Sequence, residues 1–304
     1  MPKCDGTHGP FSDSIMFCRS CRFQKCIRAG MIFEENRGTV RQQGSKNVCL
    51  ISDVNRELQL QKSLQGFHQK YVNYNVKQGD VGVILINKKL YRCATPFDIN
   101  LSLQLGFRNA IDYANQYSSF RKLPSANKKL VMAEYGIAYL LVDQAFKSAY
   151  STSEDFWILQ NDSFLHPNLV YNVEGRELRG QTAQERSHLE FVEHLVCGLK
   201  NAFKLLSIDA TECVFLKTML LFTPSYLKRV SVEDKYGIKT RCMLDLYKHS
   251  IEKSPDDGVV RYGEVLLLLG QLRCAVKLFY NQTKTSDLLD ASNFDVFVKN
   301  CFLA

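Results

Sequence analysis

The chain has 304 residues, 45% of them hydrophobic and 23% charged, which is ordinary for a globular protein with a sizeable core. Its net charge of +8 favours a polyanionic partner such as nucleic acid, although a solubilising surface gives the same charge. The sequence has no signal peptide and no apolar run of membrane-spanning length, so we expect a reduced intracellular protein with no membrane partner.

The first 31 residues contain a cysteine pair that leads into a short basic segment. Cys18 and Cys21 have the spacing with which two thiolates hold one tetrahedral Zn²⁺ ion. The stretch from Cys18 to Arg28 contains four basic residues and no acidic one: Arg19, Arg22, Lys25 and Arg28. A zinc-anchored basic helix is typical of an element that contacts DNA phosphates, although a solvated helix face has the same composition. Phosphate contacts position a protein on DNA without specifying the sequence.

The run from Cys18 to Met31 has the pattern Cys-x-x-Cys-Arg-Phe-x-Lys-Cys-x-x-x-Gly-Met. It resembles the end of the second zinc module in the DNA-binding domain of nuclear receptors. The resemblance implies a bound Zn²⁺ with Cys18 and Cys21 as the closing pair of ligands. Cys26 matches a residue that is not a ligand in the family.

The opening pair of zinc ligands is less regular, and Cys4 and His8 are the candidates. Nine residues separate His8 from Cys18, which is the family's spacing between its second and third ligands. Three residues separate Cys4 from His8, where the family has five, so His8 as a simple loop residue is an equal alternative. The helix that reads base edges belongs to the first module, which this sequence lacks. A natural short isoform and an incomplete gene model explain that equally well.

The middle of the chain carries weaker signals. Residues 32–95 are predicted to be a hinge followed by a segment that we leave unassigned, because polar residues dominate from Glu34 to Asn47. The apolar run from Val81 to Ile86 fits either a strand or a buried piece of helix.

Helical periodicity dominates residues 96–304, which we predict to be an all-helical domain. One stripe of apolar residues has the spacing of a helix face: Val192, Leu195, Val196, Leu199 and Phe203. Asp209 and Glu212 predict a capped helix start. The segments Glu212–Phe222 and Glu264–Tyr280 are apolar on nearly all sides, which predicts central helices. For Glu264–Tyr280, a dimer face and full burial are equal alternatives.

This part of the chain also resembles the ligand-binding domain of nuclear receptors, in the divergent style of the nematode members. Segments 113–124 and 141–146 are similar to the region of the family's third to fifth helices. Segment 212–224 is similar to its eighth helix, and segment 261–272 is similar to its tenth. The resemblance implies a mostly α fold and a transcription regulator in the nucleus, not an enzyme. It also implies that the chain binds DNA, coregulator proteins and a small lipophilic ligand, and that it forms a homodimer or a heterodimer. The alternative is a short form deficient in DNA binding that dimerises with other receptors.

The C-terminal tail resembles the final helix of the family, which completes a groove for a leucine-rich coactivator helix. In the family, a glutamate of that helix and a lysine of the third helix grip the two ends of the partner. Here Asn300 stands at the glutamate position and Asn115 at the lysine position. Because neutral hydrogen bonds are about half as strong as charge-assisted ones, we expect feeble binding of ordinary coactivator peptides.

Overall fold

The computed structural model is predominantly helical, which confirms the predicted fold class. The structure describes residues 83–86, 89–151, 155–167, 182–223, 230, 232–234, 237–285, 289 and 291–302. The zinc module and hinge predicted from the sequence lie outside these ranges. The helices are α1 Pro96–Ala114, α2 Ser118–Arg121, α3 Ser125–Ser151, α4 Ala183–Glu193, α5 Asn201–Leu205, α6 Ala210–Phe222, α7 Ile238–Lys253, α8 Gly258–Thr285 and α9 Val296–Phe302.

Four short strands form one sheet in the order β1-β2-β4-β3: β1 Val83–Ile86, β2 Lys89–Cys93, β3 Trp157–Ile158 and β4 Ser163–Leu165. The pairs β1–β2 and β3–β4 are antiparallel, and β2–β4 is parallel with Arg92 opposite Ser163. The apolar run at 81–86 is therefore a strand over 83–86. The expectation of an all-helical segment after residue 96 missed β3 and β4. These strands are fully buried and only two and three residues long, so they show no alternation of polar and apolar residues.

Helix α3 is the centre of the helical body. It packs against α1, α6, α8 and α9, and its Ile137, Val142 and Ala145 are completely buried. A helix that is apolar on most sides has to lie inside a domain, because every face then gains from removal from water. This central position makes α3 the element to which the surrounding helices are fixed.

Two glycines let α1 and α3 approach each other closely. A Cβ atom added at Gly106 would lie 2.6 Å from Cδ1 of Leu140, and one at Gly136 would lie 2.3 Å from Cε1 of Phe107. Each glycine thus receives a large side chain of the opposite helix. A side chain at either position would force the two helices apart.

Buried Asp98 attaches the sheet to the start of α1. Its carboxylate accepts hydrogen bonds from Arg92 of β2 (Nη1 to Oδ2, 2.6 Å) and from Nδ2 of Asn161 (2.6 Å). It also caps α1 by accepting from the backbone N–H of Thr95 at 2.8 Å. One carboxylate therefore satisfies donors from three segments, which compensates for its burial.

The predicted capped start of α6 is confirmed. Asp209 accepts from the backbone N–H of Glu212, and Glu212 accepts from that of Asp209, each at 2.9 Å. Every residue from Glu212 to Phe222 is buried, so the prediction of a central helix is also correct here. The predicted stripe from Val192 to Phe203 forms α4, a π-helical turn at His194–Lys200, and α5.

Candidate ligand-binding and coregulator site

An apolar cavity lies between α1, α3, the sheet and α8. It encloses about 30 Å³. Fourteen side chains line it: Ile99, Ser102, Leu103, Ile137, Leu140, Leu141, Gln144, Trp157, Leu159, Leu165, Phe191, Leu195, Phe279 and Leu289. A cavity of this size has room for water, whereas sites for drug-sized ligands measure roughly 300–1,000 Å³. A larger ligand therefore enters only if the lining side chains move.

Two polar side chains face this cavity. Gln144 is fully engaged, because its Oε1 accepts from Nε1 of Trp157 at 2.8 Å and its Nε2 donates to Oε1 of Gln160 at 2.7 Å. Ser102 is 1% exposed, and its hydroxyl has no hydrogen-bond partner. Since the lining carries no charged side chain, it suits a neutral apolar ligand that offers one polar group to Ser102.

The last helix, α9, is docked against α1 and α3. Phe294 and Cys301 are less than 10% exposed, and Val298 is completely buried. The backbone N–H of Asp295 donates to Oδ1 of Asn100 on α1 at 3.0 Å. Burial raises the pKa of the Cys301 thiol, against a smaller lowering by the charge of Lys129 on α3. These contacts from the chain itself hold α9 in place.

Of the two predicted groove residues, one lies at the end of α1 and the other on α9. Asn115 is the residue at which α1 ends, and its carbonyl accepts a hydrogen bond from Nη1 of Arg121 at 2.9 Å. Asn300 lies on the exposed side of α9. Their roles toward a bound helix stay predictions.

A network of charged side chains joins α6, α7 and α8. Glu212 is completely buried, and its carboxylate accepts from Nε and Nη2 of Arg261, both at 2.8 Å. Lys253 contacts Oε2 of Glu212 at 3.1 Å and Oδ2 of Asp209 at 2.8 Å. His249 bonds the same Asp209 oxygen at 2.8 Å, and this bond raises the pKa of the imidazole.

Asp209, Glu212 and His249 come close enough to hold a metal ion, a constellation that the sequence analysis did not find. However, Lys253 and Arg261 already neutralise both carboxylates. A divalent cation would have to displace these two cations, so the arrangement is that of an ion-pair network that links three helices.

The described cysteines are free thiols. Four of the six described cysteines are buried in the core: Cys93, Cys213, Cys242 and Cys301. Cys197 and Cys274 are exposed instead. Burial raises the pKa of Cys93 and of Cys242 to about 12, so these two are inert packing groups.

Comparison with known proteins decides the family. A family model for the ligand-binding domain of nuclear hormone receptors matches residues 86–289. The chain belongs to the nuclear hormone receptor family. The match begins ten residues before α1, so it includes β2 and part of the segment that the sequence analysis left unassigned. The resemblance seen in the helices is thereby confirmed.

Two curated receptors are similar along most of the chain. Nuclear hormone receptor family member nhr-69 of Caenorhabditis elegans is 22% identical over 304 residues, covering 94% of this chain and 76% of the relative. Hepatocyte nuclear factor 4-beta of Xenopus laevis is 23% identical over 297 residues. That alignment covers 94% of this chain and 59% of the relative. Among the described helices, none is both long and apolar enough to cross a membrane.

The sequence-predicted DNA-binding residues lie outside the described residues. This applies to the candidate zinc ligands Cys4, His8, Cys18 and Cys21 and to the basic set Arg19, Arg22, Lys25 and Arg28. The sequence analysis named no cavity residues, because in a linear sequence they look like ordinary core. It also missed Arg108, whose guanidinium lies 5.5 Å from the ring centre of Phe297 on α9.

Proposed function

We propose that this chain regulates transcription, in the nucleus and without enzymatic activity, through a coregulator surface that α9 completes. The docking of α9 on α1 and α3 supports this proposal. Its buried residues Val298 and Cys301 fix the helix, while Asn300 stays exposed for contact with a partner. Membership of the receptor family gives this surface its expected partners, which are coregulator proteins.

The proposal includes DNA contact through the N-terminal segment. Four residues would hold Zn²⁺: Cys4, His8, Cys18 and Cys21. Four basic residues would then contact phosphates: Arg19, Arg22, Lys25 and Arg28. The spacing of the Cys18–Met31 motif supports this part of the proposal.

A lipophilic ligand is the third element of the proposal. The cavity lining suits a neutral apolar molecule with one group that bonds the Ser102 hydroxyl. Since the cavity encloses about 30 Å³, binding has to be coupled to movement of side chains such as Phe279 and Leu289.

The outer face of α8 supports a second candidate function, that of a dimerising interaction module for other receptors. Val260 is 61% exposed and Leu267 is 72% exposed. Gly263 and Gly270 lie on open surface, which permits close approach of a partner backbone. The alternative of a fully buried helix for Glu264–Tyr280 is therefore wrong, and the inward face alone packs in the core.

A reporter assay tests the proposed function. The full chain is fused to a heterologous DNA-binding domain and its effect on a reporter gene is measured. We expect a change in transcription that is lost in Val298→Asp and kept in Leu244→Asp, because Val298 of α9 is completely buried, whereas Leu244 of α7 is 54% exposed and lies outside the proposed surface. A fusion that leaves the reporter at its basal level, or equal effects of the two variants, would refute the proposal.

The neutral groove residues give a second test. Restoring both charges, with Asn115→Lys and Asn300→Glu together, should raise the affinity for leucine-motif coactivator peptides, because charged groups cap the ends of a bound helix more strongly. Strong peptide binding by the unmodified chain, or no gain in the double variant, would show that these two positions do not grip the partner.

A further inference from the structure

Three hydroxyl side chains directly precede a proline in this sequence, namely Thr95, Thr223 and Ser254. A serine or threonine followed by proline is the local pattern on which proline-directed protein kinases act. Proline also favours an extended backbone at the residue before it, and an extended segment is what a kinase cleft holds. The three positions are equivalent by this pattern, and the structure separates them.

Both threonine hydroxyls are engaged at the ends of helices. Oγ1 of Thr95 donates to Oδ2 of buried Asp98 at 2.7 Å, at the start of α1. Oγ1 of Thr223, at the end of α6, accepts from Nη2 of Arg273 at 2.7 Å and donates to the carbonyl of Met219. A phosphate on either threonine would have to break these bonds, so both hydroxyls are protected by the fold.

The third hydroxyl, that of Ser254, is not engaged. Ser254 is the residue at which α7 ends, and its backbone N–H donates to the carbonyl of Ser250 at 3.0 Å. Its hydroxyl makes no hydrogen bond to any of the residues that the structure describes. Ser254 is half-buried, whereas Pro255, Asp256 and Asp257 of the turn to α8 are exposed. Because the ends of helices open at little cost, a kinase can reach this position.

A phosphate on Ser254 would enter an unfavourable electrostatic setting. The C-terminus of a helix carries partial negative charge, and the carboxylates of Asp256 and Asp257 follow directly. The neighbouring cation is Lys253, whose ammonium already contacts Asp209 at 2.8 Å and Glu212 at 3.1 Å. A phosphate would compete with these two carboxylates for Lys253. Since they tie α7 to α6, the phosphate weakens the junction between the two helices.

We propose that Ser254 is a phosphorylation site for a proline-directed protein kinase, and that its phosphate loosens the attachment of α7 to α6. Oγ of Ser254 attacks the γ-phosphorus of ATP. The new O–P bond forms while the bond between this phosphorus and the leaving oxygen of ADP breaks, and the hydroxyl proton passes to the catalytic base of the kinase. The product carries about 1.5–2 negative charges at neutral pH.

Phosphorylation of the full, folded chain tests the choice of site. The chain is incubated with magnesium, ATP and a proline-directed kinase, and the modified residues are located by mass spectrometry. We expect phosphate on Ser254 and none on Thr95 or Thr223. Ser254→Ala should remove the phosphate, and Pro255→Ala should lose most of it.

Thermal unfolding tests the effect of the phosphate. The melting temperature of the phosphorylated chain should be about 2–4 °C lower than that of the unmodified chain, and the difference should shrink as salt screens the charges. Ser254→Asp should lower it by a smaller amount. The matched control Ser125→Asp makes the same substitution at the exposed first residue of α3. It should not lower the melting temperature, because negative charge is favourable at the start of a helix.

Several results would overturn the inference. An unmodified Ser254 in the folded chain, or phosphate on Thr95 or Thr223 in its place, would show that hydrogen bonding of the hydroxyl does not decide the site. A melting temperature that phosphate leaves unchanged or raises would show that the junction of α6 and α7 does not respond to the charge. An equal loss of stability in Ser125→Asp and Ser254→Asp would show that the position at the end of α7 has no special role.

Discussion

The docking of α9 can be broken by one substitution whose effect follows from burial. Val298 is completely buried and Val296, two residues earlier on the same helix, is 70% exposed. An aspartate at position 298 would place a carboxylate in the core without a partner, whereas one at position 296 would stay in water. The pair Val298→Asp and Val296→Asp therefore differs in burial and in little else.

The magnitude can be worked from the side chains that α9 and its entry bury. Full burial of a valine or phenylalanine contributes about 1.5–3 kcal/mol, so Phe294 and Val298 together contribute ~3–6 kcal/mol. Val298→Asp removes the valine's share and adds a desolvation penalty of several kcal/mol for the unpaired carboxylate. The desolvation penalty and the lost burial of Val298 together exceed the stabilisation that Phe294 still contributes. We therefore expect α9 to leave its site while the rest of the fold persists.

Hydrogen exchange of residues 291–302, read by mass spectrometry, measures this directly. The unmodified chain and Val296→Asp should protect the amides of α9, and Val298→Asp should lose that protection. Circular dichroism should show nearly the same helix content in all three proteins, since α9 has seven residues. Equal protection of the two variants would mean that burial of Val298 does not hold α9.

Four further predictions concern other parts of the molecule. The full chain should bind one Zn²⁺, which Cys18→Ser releases; release by His8→Ala would identify His8 as a ligand, and retention would make it a loop residue. The chain should bind DNA weakly and without sequence preference in mobility-shift assays, with affinity that falls steeply as salt rises, and tight selective binding would contradict this. Asp209 raises the pKa of His249, so the stability that this pair contributes is fully present below pH 6.5 and is lost as pH rises through the raised pKa. The stability of His249→Gln, measured by urea unfolding, should lack this pH dependence. A pH profile that is unchanged in the variant would exclude the pair as its source. Finally, Leu267→Glu should shift the sedimentation of the chain from dimer to monomer without lowering its melting temperature, because Leu267 is 72% exposed; an unmodified chain that is already monomeric at high concentration would remove the basis for a dimer.

Local sequence patterns were sufficient for several of the helices and for the family. The capping box at Asp209 and Glu212 fixes the start of α6, because both hydrogen bonds join residues three apart. The apolar run that follows predicted a central helix, and the resemblance of the tail to the family's final helix implied α9. The receptor family was recognisable from the same segments, since their order along the chain is a property of the sequence.

Local patterns failed where neighbours in space are far apart in the chain. The strands β3 and β4 are too short to show a period, and their pairing with β2 depends on a contact across some seventy residues. The exposure of Leu267 was equally undecided, because an apolar residue reads the same on the buried and the open face of α8. The surrounding helices, and not the residue itself, decide which face is covered.

The candidate site shows the same division most clearly. The resemblance to the family singled out Asn115, which follows the last residue of α1, and Asn300, which lies on α9, and their role toward a partner stays a prediction. Only the tertiary structure brought Arg108 over the ring of Phe297, across about 190 residues of chain. The charge of a surface is set by side chains that converge from separate helices. That convergence depends on how the helices cross and pack around α3, and no single segment of the sequence encodes it.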